Sequence, residues 1–387
     1  MNDPKPRVWH LITGEYPPDR GGVADYTETL ALALAGAGAE VNVWASGTAG
    51  LLEEARGGVS VHRVARQFGP VGLALLGREL DRFAGPRTIL VQYVPHAFGW
   101  KAMNIPFAAW VARRGRRGDD VRVMFHEVAF PWVRRPLRHN VLAAVHRAMA
   151  AVIVRACTRA YVSTLVWEPL LRRLGAVGLP ITWTPVPSNV PSEADSDAVA
   201  LRRAQVTGGE TSARLVGHFG TYGPGVARDL GPALRDLLGG SRDVHVLLLG
   251  VGGDRWRREL AGDRVDWLAR IVAPGPLPGP LVSEHLRACD LVLQPYPDGA
   301  SGRRSSLMAA LANGVPAVVT LGDSSEPVWS EGAVAAVPIG SPEALARTAA
   351  ELLDRPDRLA ELGRAGRRIY EDRFAIRQTL AALLEPS

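Results

Sequence analysis

Apolar positions along the chain follow two alternating rhythms. Short runs rich in β-branched residues, VWHLIT (8–13), VNVWA (41–45), TILVQY (88–93), VRVMF (121–125) and ITWTP (181–185), predict buried strands. Between them, stretches near 23–37, 101–114, 137–156 and 164–174 read as helices. Strands alternating with helices imply a parallel sheet covered on both faces. The rhythm stops at PVPSNVPSEADSDAV (185–199), which has no apolar period and reads as an interdomain linker. It then restarts with strand candidates RLVGHFG (214–220), VHVLLLG (244–250), DLVLQPY (290–296), PAVVT (316–320) and AVAAVP (333–338). Helices are expected near 226–239, 280–288, 303–313, 342–354 and 356–371, with FAIRQTLAALLE as a last amphipathic helix. The expected fold is α/β, two doubly wound Rossmann-like domains facing each other across a ligand cleft, with domains at 1–190 and 191–370 and a closing helix in 371–387.

Composition agrees with two cores. The 387 residues exceed what one core usually serves, and 47% of them are hydrophobic. The formal charge of +6 suggests an anionic partner, but 43 of the 45 basic residues are arginines spread along the whole chain. The one dense cluster, RRGRRGDD (113–120), lacks interleaved aromatics and ends in two acids, so it reads as a solvated loop and no nucleic-acid partner is expected. Cys157 and Cys289 lie in apolar stretches without metal-type spacing, the pattern of a reduced, cytoplasmic chain. MNDPKPRVWHLIT lacks the features of a signal peptide, and LALALAGAGA is far shorter than the roughly 20 residues of a membrane span. A peripheral membrane contact through helix 101–114, with Phe107, Trp110, Arg113 and Arg114, stands beside the plainer reading of a core-facing helix with a basic end. The oligomeric state has no signature in the sequence.

Candidate chemistry concentrates after strand ends. In GEYPPDRGGVADYTETLALAL (14–34), Glu15, Tyr16 and two prolines follow the first strand, and Gly21-Gly22 opens a helix. Missing side chains at 21 and 22 allow close approach to the backbone, and the helix dipole favours a phosphate there; a turn that merely needs glycine explains the same residues. VRVMFHEVAF places His126 and Glu127 past another strand, where the imidazole can bond a sugar hydroxyl or satisfy the core. QYVPHAFG puts Tyr93 and His96 in a similar place, facing an acceptor or shaping a turn. In QPYPDGASGRRSSLMAALANGVPAVVT, small residues, Arg303, Arg304, Ser305 and Ser306 meet a helix start, a suitable diphosphate site, although serine capping and incidental arginines also account for it.

The N-terminal strand, E-Y-P-P-x-x-G-G-V-A, apolar helix and G-A-G-A-E-V-N-V resemble the signature of the family 4 (group 1) retaining glycosyltransferases of GT-B fold. The resemblance covers essentially the whole chain, including a final helix that in the family often packs back on the first domain. It implies that Gly21 and Gly22 approach the donor diphosphate and sugar, that Tyr16 and Tyr26 line the acceptor side, and that His126 touches the donor sugar as the catalytic candidate; Glu15, Tyr93 and His96, from their places beyond strand ends, are also expected on the acceptor side. Beyond the resemblance, the small residues, arginines and serine after the strand ends of the second domain place Gly220, Thr221, Ser301, Gly302, Arg303, Arg304 and Ser305 on the expected donor side. The sequence departs from the family at its two glutamates: aligned on GVP (314–316), their positions carry Ser301 and Ala309. The arginine and lysine expected after the first strand of the second domain are also absent from GHFGTYGPGVARD, so Arg303 and Arg304 are expected to replace that charge and Glu326 to take the ribose.

The resulting expectation is metal-independent transfer of a sugar, with retention, from a nucleoside diphosphate sugar to a small-molecule, lipid or glycan acceptor, without a further cofactor. Asp119-Asp120 precedes a strand and does not form an Asp-x-Asp metal motif beyond one. A non-catalytic scaffold and a sugar-nucleotide epimerase or hydrolase are the alternatives on the same fold. A nicotinamide dehydrogenase fits poorly, since Arg255 occupies the third glycine position in LLLGVGGDRW.

Overall fold

The computed structural model describes residues 8–19, 21–47, 52–65, 68–84, 87–135 and 138–385. The chain divides into two compact units, Met1–Pro185 with Thr379–Ser387, and Val186–Gln378.

Unit 1 is built on an eight-stranded sheet of order β3-β4-β2-β1-β5-β6-β7-β8. Its strands are β1 (Val8–Thr13), β2 (Glu40–Gly47), β3 (Leu52–Arg56), β4 (Val59–Ala65), β5 (Thr88–Tyr93), β6 (Asp120–Phe125), β7 (Arg159–Val162) and β8 (Ile181–Trp183). All neighbours run parallel except β3, which returns from β4 as a hairpin around Gly57-Gly58. The helices are α1 (Gly22–Gly36), α2 (Pro70–Leu80), α3 (Ile105–Arg116), α4 (Arg138–Val154) and α5 (Trp167–Arg173). Parallel strands flanked by helices are covered on both faces, which is why β5 and the inner part of β1 are continuously buried, polar His10 and Gln92 included. Ile12, Val91, Phe107, Phe125 and Ile153 close one core.

Unit 2 carries an all-parallel sheet of order β11-β10-β9-β12-β13-β14. Its strands are β9 (Arg214–Phe219), β10 (Val244–Leu249), β11 (Ile271–Gly275), β12 (Leu291–Gln294), β13 (Ala317–Leu321) and β14 (Ala335–Pro338). The helices are α6 (Ser196–Thr207), α7 (Pro224–Gly239), α8 (Gly253–Ala261), α9 (Val265–Arg270), α10 (Gly279–Ala288), α11 (Ser305–Ala312), α12 (Pro342–Leu353) and α13 (Pro356–Ile369). The last helix, α14 (Ile376–Leu384), lies mostly in unit 1, where the buried Arg122 donates from Nη1 to the Leu383 carbonyl at 2.7 Å.

Two expectations are corrected. The stretch 185–199 is not linker throughout, because Asp195 accepts the amides of Asp197 (2.9 Å) and Ala198 (3.0 Å) and so caps the start of α6. RRGRRGDD is not simply a solvated loop either. Arg114 is 2% exposed and Asp119 4%, and they form a 2.5 Å ion pair that Arg87 joins at 2.7 Å. Cys157 and Cys289 are buried free thiols; burial pushes Cys157 up to about 12 and raises Cys289 further.

Candidate functional site

In a doubly wound sheet, ligands collect beyond the carboxyl ends of the strands where the strand order reverses. In unit 2 that point lies between β9 and β12. The chain leaves β9 at Gly220, whose φ of +149° suits glycine, and a Cβ built there would come within 3.6 Å of Ser306 Oγ. Ser306 lies in the first turn of α11, after β12, so the two loops converge. Its hydroxyl hydrogen-bonds the Tyr296 hydroxyl at 2.9 Å, and the Arg304 guanidinium lies 4.7 Å over the Tyr296 ring. Leu307 and Met308 donate to the Arg304 carbonyl, leaving the amides of Ser305 and Ser306 without a backbone partner among the described residues. Thr221 is exposed beside them, and its carbonyl lies 3.4 Å from His218 Nε2. Next to this point, Tyr222, Val251, Arg255 and Trp256 line a cavity of about 450 Å³.

The two arginines are not free. Asp298 binds both, Arg303 at 2.6 Å through Oδ2 and Arg304 through Oδ1. Three groups therefore leave one net positive charge beside the start of α11. Asp298, five residues before Arg303, was not singled out from the sequence, although its place in the same loop was the available signal. Burial lowers the Arg304 pKa, and Tyr296 and Glu326 partly oppose that. Glu326 departs from expectation. It is 3% exposed, and its carboxylate accepts the Gly302 amide (3.0 Å) and the Trp329 indole N–H (2.8 Å), so it holds the loop rather than facing a ribose. Ser301 and Ala309, at the positions aligned with the family's glutamates, are fully buried, and Ser301 Oγ has no hydrogen-bond partner among the described residues.

In unit 1 the order reverses between β1 and β5. Here the opening loop finds a different use for its acid. Glu15 Oε1 accepts the amides of Val23 and Ala24, both at 3.2 Å, and so occupies the N-terminus of α1. A Cβ on Gly21 would fall 2.3 Å from that oxygen, so the missing side chain makes room for the protein's own carboxylate. Gly22 has open space around it. Arg63 of β4 pins the loop by donating to the carbonyls of Tyr16 (3.2 Å) and Pro17.

The tyrosines expected on the acceptor side are core residues. Tyr16 is buried, which pushes its hydroxyl up to about 12. Tyr26 packs edge-on against His126 at 4.7 Å, and Tyr93 is fully buried between Phe98 and Phe125. His126 itself is nearly buried, with Nε2 2.8 Å from Gln92 Oε1, and burial pulls its pKa down to about 3, so the imidazole is neutral. His96 is exposed, with Nδ1 3.6 Å from Glu127 Oε2. This imidazole–carboxylate pair spans the loops after β5 and β6 and is an open polar pair at that edge.

Comparison with known proteins fits this arrangement. A family model described as Glycosyl transferases group 1 matches residues 225–355. No curated protein matches the sequence. Among solved structures, the sucrose-phosphate synthase of Thermosynechococcus elongatus aligns with TM-score 0.73 at 18% identity, covering 97% of this chain and 98% of that one. WaaG, a glycosyltransferase of lipopolysaccharide biosynthesis, aligns at 0.65 and 15%, covering 98% and 100%. Anabaena HepE in complex with UDP-glucose aligns at 0.67 and 16%, covering 98% and 99%. At these identities the likeness shows the fold, which is GT-B. The segment that matches the group 1 glycosyltransferase model thus lies in unit 2 of a chain of that fold.

Proposed function

We propose that the protein transfers a glycosyl group from a nucleoside diphosphate sugar to an acceptor hydroxyl, with retention and without a metal. The observation that carries this reading is the convergence of Gly220, the Ser305 and Ser306 amides and the Arg303–Arg304 pair at the strand reversal of unit 2, all but Gly220 within the segment matched by the glycosyltransferase model. Amide donors at a helix start and guanidinium groups stabilise the charge that grows on a leaving diphosphate. The bond from the anomeric carbon to the diphosphate oxygen breaks, the acceptor oxygen bonds the same face, and its proton passes to the departing phosphate. No enzymic nucleophile is required. HepE, solved with UDP-glucose, supports a uridine nucleotide as the first donor to test.

The scaffold alternative draws on the two glutamate positions occupied by Ser301 and Ala309. Thermal protection by a panel of nucleotide sugars separates the two readings, followed by chromatography and NMR of the product anomer. Arg303→Ala with Arg304→Ala should raise the donor dissociation constant at least tenfold. An unchanged constant removes the diphosphate role, and protection by no nucleotide favours the scaffold.

A further inference from the structure

A second basic site lies in unit 1, between α2 and α3. Leu73, Ala74, Gly77, Arg78 and Asp81 follow one face of α2 and the residue after it, and Trp110, Arg113, Arg114 and Arg117 follow one face of α3 at helical spacing. Together they line a cavity of about 300 Å³. Crossover helices in a parallel sheet run back against the strands, so the C-terminal ends of α2 and α3 place this cavity toward the amino-terminal edge of the sheet. That is the edge opposite the loops bearing Gly21, His96 and His126.

The polar part of the wall is dominated by donors. Four guanidinium groups face one carboxylate, that of Asp81. Arg114 is the decisive member. It is 2% exposed, its Nε is bound to Asp119 (2.5 Å) and its Nη1 to Asp81 (2.7 Å), yet its buried Nη2 has no hydrogen-bond partner among the described residues. A buried donor left unpaired costs about 1–3 kcal/mol unless something completes it. Arg117 reaches Asp81 at 3.5 Å, whereas Arg78 and Arg113 are exposed and have no carboxylate partner among the described residues. Helix dipoles explain part of this, since cations suit helix C-termini, but two helix ends offset only about one charge. Counting Asp119 and Arg87 as a cancelling pair, the cavity keeps a surplus of about two positive charges after the dipoles. Trp110 adds an aromatic face and an indole N–H, and Gly77 leaves the space in front of it: a Cβ at 77 would sit 3.5 Å from Trp110 Nε1.

We propose that this cavity binds a phosphate group, carried either by a soluble phosphate ester or by a lipid headgroup, with Arg78, Arg113, Arg114 and Arg117 as its donors. The site shares no residue with the unit 2 crevice, and its test does not depend on glycosyl transfer. Arg114→Gln breaks a buried ion-pair network and risks the fold, so the informative variants are the exposed double reversal R113E/R117E and the cavity-filling Gly77→Met. Titration calorimetry with inorganic pyrophosphate tests the soluble source. Co-sedimentation with phosphatidylcholine vesicles containing phosphatidic acid, against pure phosphatidylcholine, tests the lipid source. In whichever arm the wild type binds, R113E/R117E should weaken binding at least tenfold and Gly77→Met at least threefold, with unchanged thermal protection by UDP-glucose. Wild-type binding in neither arm, or binding that both variants leave unaltered, overturns the proposal. Pyrophosphate held only in the unit 2 crevice gives that second result.

Discussion

Glu326 offers the sharpest test of how the unit 2 loop is held. Its buried carboxylate serves two donors from different segments, the Gly302 amide and the Trp329 indole, and Trp329 in turn stacks on Phe374 at 5.1 Å. Glu326→Ala removes both acceptors and strands both donors. At about 1–3 kcal/mol for each stranded donor, the loss is about 4 kcal/mol in the middle of the range. For a unit of this size each kcal/mol lowers Tm by about 3 °C, so the variant should melt about 12 °C below the wild type. Glu326→Gln keeps one acceptor oxygen and should lose about half as much. Differential scanning calorimetry measures both. Because Gly302 immediately precedes the arginine pair, nucleotide-sugar affinity should fall together with Tm. A Glu326→Ala protein melting within about 2 °C of wild type, less than 1 kcal/mol on this scale, would falsify the assignment of this carboxylate as a loop clamp, and a Gln variant as damaged as the Ala variant would point to its charge instead.

Three further outcomes follow from the geometry. Gly220→Ala forces a Cβ into a positive-φ position facing Ser306, and should cost about 1–3 kcal/mol and weaken nucleotide-sugar binding; equal affinity by calorimetry would show that the ligand passes elsewhere. Glu15→Ala uncaps α1 and should cost about 0.5–2 kcal/mol, with Glu15→Gln recovering most of it; equal losses in urea unfolding of the two variants would argue against capping. Burial holds His126 at about 3 and His10 at about 4, against 6.5 unfolded, so the unfolded chain takes up protons first as the pH falls. Their contribution is fully present above pH 6.5 and is lost as the pH drops through 6.5 toward 3–4, at up to about 1.4 kcal/mol per pH unit for each. A His126→Asn variant should therefore show a flatter Tm profile between about pH 7 and 5, and a slope matching the wild type would refute the buried neutral imidazole.

The strands that were easiest to read are those buried on both faces. VWHLIT and TILVQY match β1 and β5 residue for residue, because a doubly covered parallel strand is dominated by apolar and β-branched residues on both faces. The β3–β4 hairpin escaped because LEEARGGVSVHRVA mixes charges into an edge pair, although Gly57-Gly58, both at positive φ, was a usable turn signal. The first turn of α6 was hidden within an acidic, proline-rich stretch, where Asp195 acts as a cap rather than as linker polarity. At the candidate site, sequence located the loops but not the partners inside them. Glu15 is eight residues from Val23, Asp298 pairs with arginines five and six residues on within one loop, and Glu326 reaches Gly302 only after β13 has been laid beside β12. Tyr16, Tyr26 and Tyr93 show the converse problem: placement near a strand end does not say whether a ring turns outward or into the core.

The tie between Arg122 and Leu383 has a temporal meaning. During synthesis the first 185 residues leave the ribosome well before the segment that supplies the Leu383 carbonyl exists, so the N-terminal unit cannot reach its finished form until the C-terminal one has been made. A released chain truncated just after Gln378 should accordingly carry a protease-resistant second half beside an incompletely protected first half.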